Sequence, residues 1–187
     1  MSASVPVQGG ARYTRVAVLF HWALAILLIG TFIGGELMVR EWVPNRFVLY
    51  QWHKTFGILI LVLTAGRLLW RLTHKPPALP ADTPRWQSLA SHATHWSFYV
   101  LMVAMPLLGW AMVSASSLPV PTELFGVIPL PDLPVTESEA VENRFKDLHH
   151  TGAKVFFALF VLHVGAALWH QFGKRDGLLS RMSLRRN

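Results

Sequence analysis

Cysteine is absent from the 187 residues, which excludes disulfides, thiol catalysis, iron–sulfur clusters and the Cys-x-x-Cys-His attachment of c-type haem. Charge is also scarce. Asp, Glu, Lys and Arg make up 14% of the chain, against about 25% in an average soluble protein. A glycine-rich dinucleotide fingerprint, a phosphate loop and a nucleophile–base constellation are missing as well, so dehydrogenase and hydrolase readings have no support. The first 15 residues lack the apolar run of a cleavable signal, which begins only at Val16, so the first apolar segment is expected to be retained. Neither an internal repeat nor a low-complexity segment is present.

The chain is instead rich in apolar residues, at 52%. Its few charges leave uncharged stretches at 16–35, 86–122 and 155–173, and a fourth at 47–66 is interrupted only by His53 and Lys54. Each supplies the roughly 20 apolar residues that a membrane helix needs. The expected fold is all-α: an integral membrane four-helix bundle of up-down topology, a single domain over 1–187. Helices are expected at about 16–38, 47–72, 93–115 and 147–173. Pro76, Pro77 and Pro80 close the second connection, and Pro119, Pro121, Pro129, Pro131 and Pro134 mark the third, because proline lacks an N–H and disfavours helix in its predecessor. Residues 137–147 are polar but helix-compatible, which lets the fourth helix begin outside the lipid.

The net charge of +7 would fit a nucleic-acid surface until the charges are sorted by loop. On the side of the two termini stand Arg12, Arg15, Arg71, Lys75, Arg85, Lys174, Arg175, Arg181, Arg185 and Arg186, against Asp82 and Asp176. The other side carries Arg40, Arg46, Arg144 and Lys146 against Glu36, Glu41, Glu123, Asp132, Glu137, Glu139, Glu142 and Asp147. The positive-inside rule then puts both termini in the cytoplasm of a multi-pass protein.

Nine histidines are many for so apolar a chain, and an ionisable residue inside a span is a functional candidate by default. The plainer reading of any one of them is a packing or interfacial residue, since histidines hydrogen-bond across membrane helices. Spacing argues against that reading for four of them. His149 and His163 are 14 residues apart, about 21 Å along a helix and within about 40° of the same face. Matching depths on antiparallel helices pairs His53 with His149 and His21 with His163. Two stacked bis-histidine sites are what two low-spin haems require. Spacing leaves His150 open against His149, and His95 open against His21.

Arg67 lies 14 residues after His53 on the same face, with Arg71 one turn on. Both are candidates for haem propionate contacts, although Arg71 also has the plainer reading of a side chain reaching the headgroups. Gly57 can leave room for a porphyrin. His170, seven residues after His163, is a titratable candidate for a quinone site. Trp22, Trp52, Trp96 and Trp169 are explained by the aromatic belt alone.

These residues carry a resemblance. Tyr13-Thr14-Arg15 followed by His21-Trp22, then His53-Lys54-x-x-Gly57 with Arg67 and Arg71, Leu148-His149, His163, and His170 before Arg175-Asp176-Gly177-x-Leu179-x-Arg181-Met182 resemble the proteobacterial-type cytochrome b561 family along the whole chain. The same bundle resembles the cytochrome b subunits of hydrogenases and formate dehydrogenases. The resemblance implies a four-helix, two-haem, quinone-linked cytochrome of the bacterial inner membrane. It implies haem iron on His21, His53, His149 and His163, and a quinone role for His170.

That family includes superoxide oxidases, which take an electron from superoxide at the periplasmic haem and reduce ubiquinone at the cytoplasmic side; this is the leading expectation. One departure is the long, Pro-rich, acidic outer loop, which repels an anion, with Lys54, Arg144 and Lys146 as local offsets. The alternatives are an electron conduit between the quinone pool and a partner redox protein, and a haem-free proton or metal transporter.

Overall fold

The computed structural model describes residues 12–80, 83–118 and 120–184. Asp82, Arg185 and Arg186 of the charge sorting, and Pro119 of the long loop, lie outside the described residues. Four helices are long and apolar enough to cross a membrane: α1 (Arg15–Met38), α2 (Arg46–Thr73), α3 (Arg85–Ser114) and α4 (Glu139–Leu168). The chain is an all-α membrane bundle. Inside lipid every backbone polar group must be satisfied within the protein, and helices do this segment by segment.

Local chemistry sets the helix ends. Thr14 caps α1 by accepting a hydrogen bond from the Ala17 N–H at 3.2 Å, which satisfies one of the orphan donors of the first turn. Helix α2 stops at Thr73, ahead of Pro76 and Pro77. Helix α3 starts at Arg85 rather than at about 93, directly after Pro84. The stretch 85–92 is polar but free of proline, so the helix extends beyond its apolar part. Helix α4 likewise starts at Glu139 rather than at about 147, with Glu139 and Glu142 in its first turn, where acidic side chains complement the positive end of the helix dipole. At its other end α4 loosens into a π-helical turn, Trp169–Lys174, and a 3-10 turn, Leu178–Met182, follows. That tail is tied back by Trp22 Nε1 donating to the Met182 carbonyl at 3.0 Å and by Arg181 donating to the Ala78 carbonyl at 2.9 Å.

Helix α1 packs on α2, α3 on α4, and α2 on α3. Helices α1 and α4 meet through the Phe32 ring, edge-on to Phe156 and Phe157 at 5.6 and 5.9 Å. Leu24, Ile60, Tyr99, Met102, Met105 and Phe156 form the buried core, while Ile26, Val62, Val100 and Leu162, one from each helix, are exposed. Apolar side chains turned outward are what lipid as a solvent permits. On α4 the core residue Phe156 stands midway between His149 and His163, so an apolar layer separates two levels of histidine.

Two glycines set close approaches. A methyl group at Gly66 would stand 3.2 Å from the Phe20 ring, and one at Gly152 would collide with the Met105 sulfur. The thioether is flexible and can yield to a single methyl group. Gly152→Ala is therefore expected to be mild, whereas Gly152→Ile should cost about 1–3 kcal/mol as overpacking of the α3–α4 contact, measured as a lowered melting temperature of the purified protein in detergent.

Candidate functional site: two levels of histidine

The bundle has one end that carries both termini and the α2–α3 connection, and a far end that carries the other two connections. Toward the far end the rings of His53 on α2 and His149 on α4 stand 6.1 Å apart between centroids, at 72° between planes. His53 Nδ1 donates to the Thr31 carbonyl of α1 at 3.1 Å, and His149 Nδ1 donates to the Met105 carbonyl of α3 at 3.1 Å. A carbonyl can only accept, so Nδ1 carries the proton and Nε2 is left as the lone-pair nitrogen.

Four residues after each carbonyl comes a glycine. A methyl group at Gly35 would stand 3.2 Å from His53 Cε1, and one at Gly109 would stand 3.3 Å from His149 Cε1. Helices α1 and α3 therefore present one device twice: a carbonyl that fixes the ring's tautomer and, one turn on, a bare backbone that the ring lies over. His150, left open by spacing against His149, is exposed. A methyl group at Gly57 would stand 4.0 Å from Pro106 Cβ of α3, an ordinary van der Waals distance.

Toward the end with the termini, three rings gather. His21 of α1 and His95 of α3 stand 6.2 and 5.8 Å from His163 of α4, and Phe98 packs edge-on to His163 at 5.3 Å. The charge of Arg67 acts on all three histidines. Its guanidinium lies 5.6 Å from the Tyr99 ring centroid, and that of Arg71 lies 5.7 Å from Tyr99 and 5.9 Å from Trp96. Both arginines are half-buried where α2 meets α3.

The donor set fits a haem. Metal–imidazole bonds run about 2.0 Å, so two rings that share one metal from opposite sides have centroids roughly 6 Å apart. Ligand histidines also hold their second nitrogen in a hydrogen bond that fixes the ring, which is the arrangement of His53 and His149. The model for prokaryotic cytochrome b561 matches residues 12–183.

The chain belongs to the prokaryotic cytochrome b561 family. It is 30% identical over 179 residues to cytochrome b561 homolog 1 of Escherichia coli (strain K12), covering 94% of this chain and 98% of that protein. It is 33% identical over 179 residues to cytochrome b561 homolog 2 of the same strain, covering 91% and 90%. To the probable superoxide oxidase CybB of Yersinia pestis it is 30% identical over 178 residues, covering 91% and 95%. A cytochrome b561 transfers electrons across a membrane with haem b, and this chain is such a multi-pass protein.

Beyond the histidine levels, His170 sits in the π-helical turn that ends α4, and its Nδ1 donates to Asp176 Oδ2. Partial burial alone would raise the Asp176 carboxyl. The hydrogen bonds from His170 and from the Leu178 N–H, with the charges of His170 and Lys174, outweigh it and hold the carboxyl below its ordinary value. The sequence reading named no partner for His170, although Asp176 stood in the quoted Arg175-Asp176-Gly177 run. The carbonyls of Thr31 and Met105 and the space at Gly35 and Gly109 were likewise missed, because backbone acceptors leave no signal in residue type and helical glycines are common in membrane proteins.

A depressed carboxyl stabilises the fold above its ordinary range, and that contribution is lost as pH falls through the lower, folded value. Asp176 is accordingly expected to be more than half ionised at pH 3.8, its ordinary midpoint. Infrared titration against the Asp176→Asn variant checks this.

Proposed function

We propose that this cytochrome holds two haem b groups, one between His53 and His149 and one between His21 and His163, and passes electrons from superoxide at the far end to ubiquinone at the end with the termini. The observation that carries this reading is the recurrence of a roughly 6 Å ring spacing at two levels of one bundle, 6.1 Å at the first and 6.2 Å at the second. The name of the Yersinia pestis relative, probable superoxide oxidase, supports the donor. Ten basic against two acidic residues in the segments beside the termini support a cytoplasmic location for that end, in the bacterial inner membrane.

Bound haem supplies a one-electron carrier at each level. The protein's part is to hold and insulate. His53 and His149 are fixed by the two carbonyls, Phe156 and its neighbours keep the space between the levels dry, and Arg67 and Arg71 supply cations for propionates. His95 stands beside the inner pair and buttresses His163. Two superoxide anions each lose one electron and leave as dioxygen, and two electrons with two protons convert ubiquinone to ubiquinol. His170, hydrogen-bonded to Asp176 in the turn that follows α4, is the candidate to hand protons to the quinone.

A second reading, an electron conduit to a cationic redox partner, is favoured by the exposed acids at the far end, Glu36, Glu41, Asp132, Glu137, Glu139 and Asp147. The two readings part in one experiment. Purified protein is expected to show two haems per chain that a superoxide source reduces and ubiquinone reoxidises. Two haems indifferent to superoxide would leave the conduit, and haem-free protein would sink both.

His53→Ala or His149→Ala is expected to lose one haem of the two, as is His21→Ala or His163→Ala, whereas His95→Ala should keep both. Haem quantitation with a reduced-minus-oxidised spectrum of each variant checks the pairing. Loss of a haem in His95→Ala with retention in His21→Ala would reverse the inner assignment.

A further inference from the structure

The long connection between α3 and α4 contains a short antiparallel hairpin in which Glu123 pairs with Pro129 and Leu124 with Ile128. Residues 124–131, Leu-Phe-Gly-Val-Ile-Pro-Leu-Pro, are uncharged. At the tip Phe125, Val127 and Ile128 are exposed, Val127 by 74%. Three large apolar side chains facing outward on one hairpin need an occupant opposite them.

The position of the hairpin says which. It does not project beyond the helices but folds back along α2. Thr55 Oγ1 donates to the Glu123 carbonyl at 3.2 Å and accepts from the Phe125 N–H at 3.1 Å, and Lys54 Nζ donates to the Pro121 carbonyl. Thr55 lies nine residues into α2 from Arg46, about 14 Å along the axis, and just past His53. The hairpin therefore lies beside the spanning part of α2.

It also meets tryptophans of the two helices that flank it. Phe125 packs edge-on to Trp52 at 6.2 Å, and Trp110 Nε1 donates to the Pro131 carbonyl at 3.1 Å. Tryptophans near helix ends mark the level of the lipid headgroups.

Part of the backbone finds its partners within the protein, which lowers the cost of placing it against lipid. The Val127 N–H donates to the Leu124 carbonyl at 3.1 Å, the Leu130 N–H to the Thr122 carbonyl at 2.8 Å, and the Phe125 N–H to Thr55. Pro129 and Pro131 have no N–H to satisfy. Phe125 and Gly126 both take positive φ, 55° and 67°, a conformation that an aromatic residue rarely adopts. It is held here with the Phe125 ring against Trp52.

We infer that the 123–129 hairpin is a lipid anchor whose Phe125–Ile128 tip is embedded in the interface of the leaflet at the far end. It holds the long connection down on α2 beside the His53 level, while Asp132, Glu137 and Glu139 stay in water.

The cysteine-free chain permits a direct test. Val127→Cys and Ile128→Cys are each spin-labelled in the haem-loaded protein reconstituted in phosphatidylcholine–phosphatidylglycerol vesicles. Collision with dissolved oxygen and with a water-soluble nickel chelate is then measured. Asp132→Cys serves as the aqueous reference and Val62→Cys, on the exposed face of α2, as the lipid reference. Nickel accessibility at both tip positions is expected to be several-fold below that at Asp132→Cys, with oxygen accessibility close to that at Val62→Cys. Nickel accessibility equal to that of Asp132→Cys would overturn the proposal in favour of a hairpin in water. Low accessibility to both reagents would overturn it in favour of a protein partner or a second copy of the chain covering the tip.

Discussion

An imidazole placed between membrane helices must have both of its nitrogens satisfied without water, and the architecture of this bundle follows from that demand. At the far level the demand is half met by the backbone, since His53 and His149 each give the Nδ1 proton to a carbonyl of the neighbouring helix. A helix carbonyl already engaged with its own helix has a second lone pair to offer. The residue one turn on has no side chain to crowd the ring in either case, Gly35 and Gly109. The remaining nitrogen of each ring is a lone pair, and two such rings face one another at a separation suited to one metal.

The inner level is built differently. Three rings share the space, the Arg67 guanidinium lies nearby over the Tyr99 ring, and no backbone carbonyl fixes His21 or His163 among the described contacts. A ring held by a carbonyl is a more basic ligand than one that is not. The two levels thus offer unequal surroundings to whatever they bind. The family's electron transfer across a membrane sits naturally on a fold in which the two levels are set apart by the Phe156 layer.

The packing explains why so apolar a protein buries so few side chains. Helices α1 and α2 form one tight pair and α3 and α4 another, joined along α2 and α3. Helix α4 buries only Phe156, and α1 only Val18 and Leu24. Helices α1 and α4 meet through few side chains, Phe32 against Phe156 and Phe157 and His21 against His163. The outward faces are covered by lipid, and the acidic far-end segments and basic segments near the termini meet water on opposite sides.

The number of spans, their approximate limits, the charge asymmetry and the face shared by His149 and His163 were legible in the sequence, because hydropathy and helical periodicity are local properties of a chain in lipid. The start of α3 was not, since a polar helix turn beyond the lipid looks like loop to a hydropathy reading, whereas the helix-compatible 137–147 stretch did announce the early start of α4 at Glu139. Only the tertiary structure decided that His149 rather than His150 turns toward His53. It alone gave Gly35 and Gly109 to the rings, supplied Asp176 to His170, and folded the long connection back onto Thr55. These depend on backbone acceptors, on missing side chains and on residues far apart in the chain, and residue type does not record what stands opposite it in space.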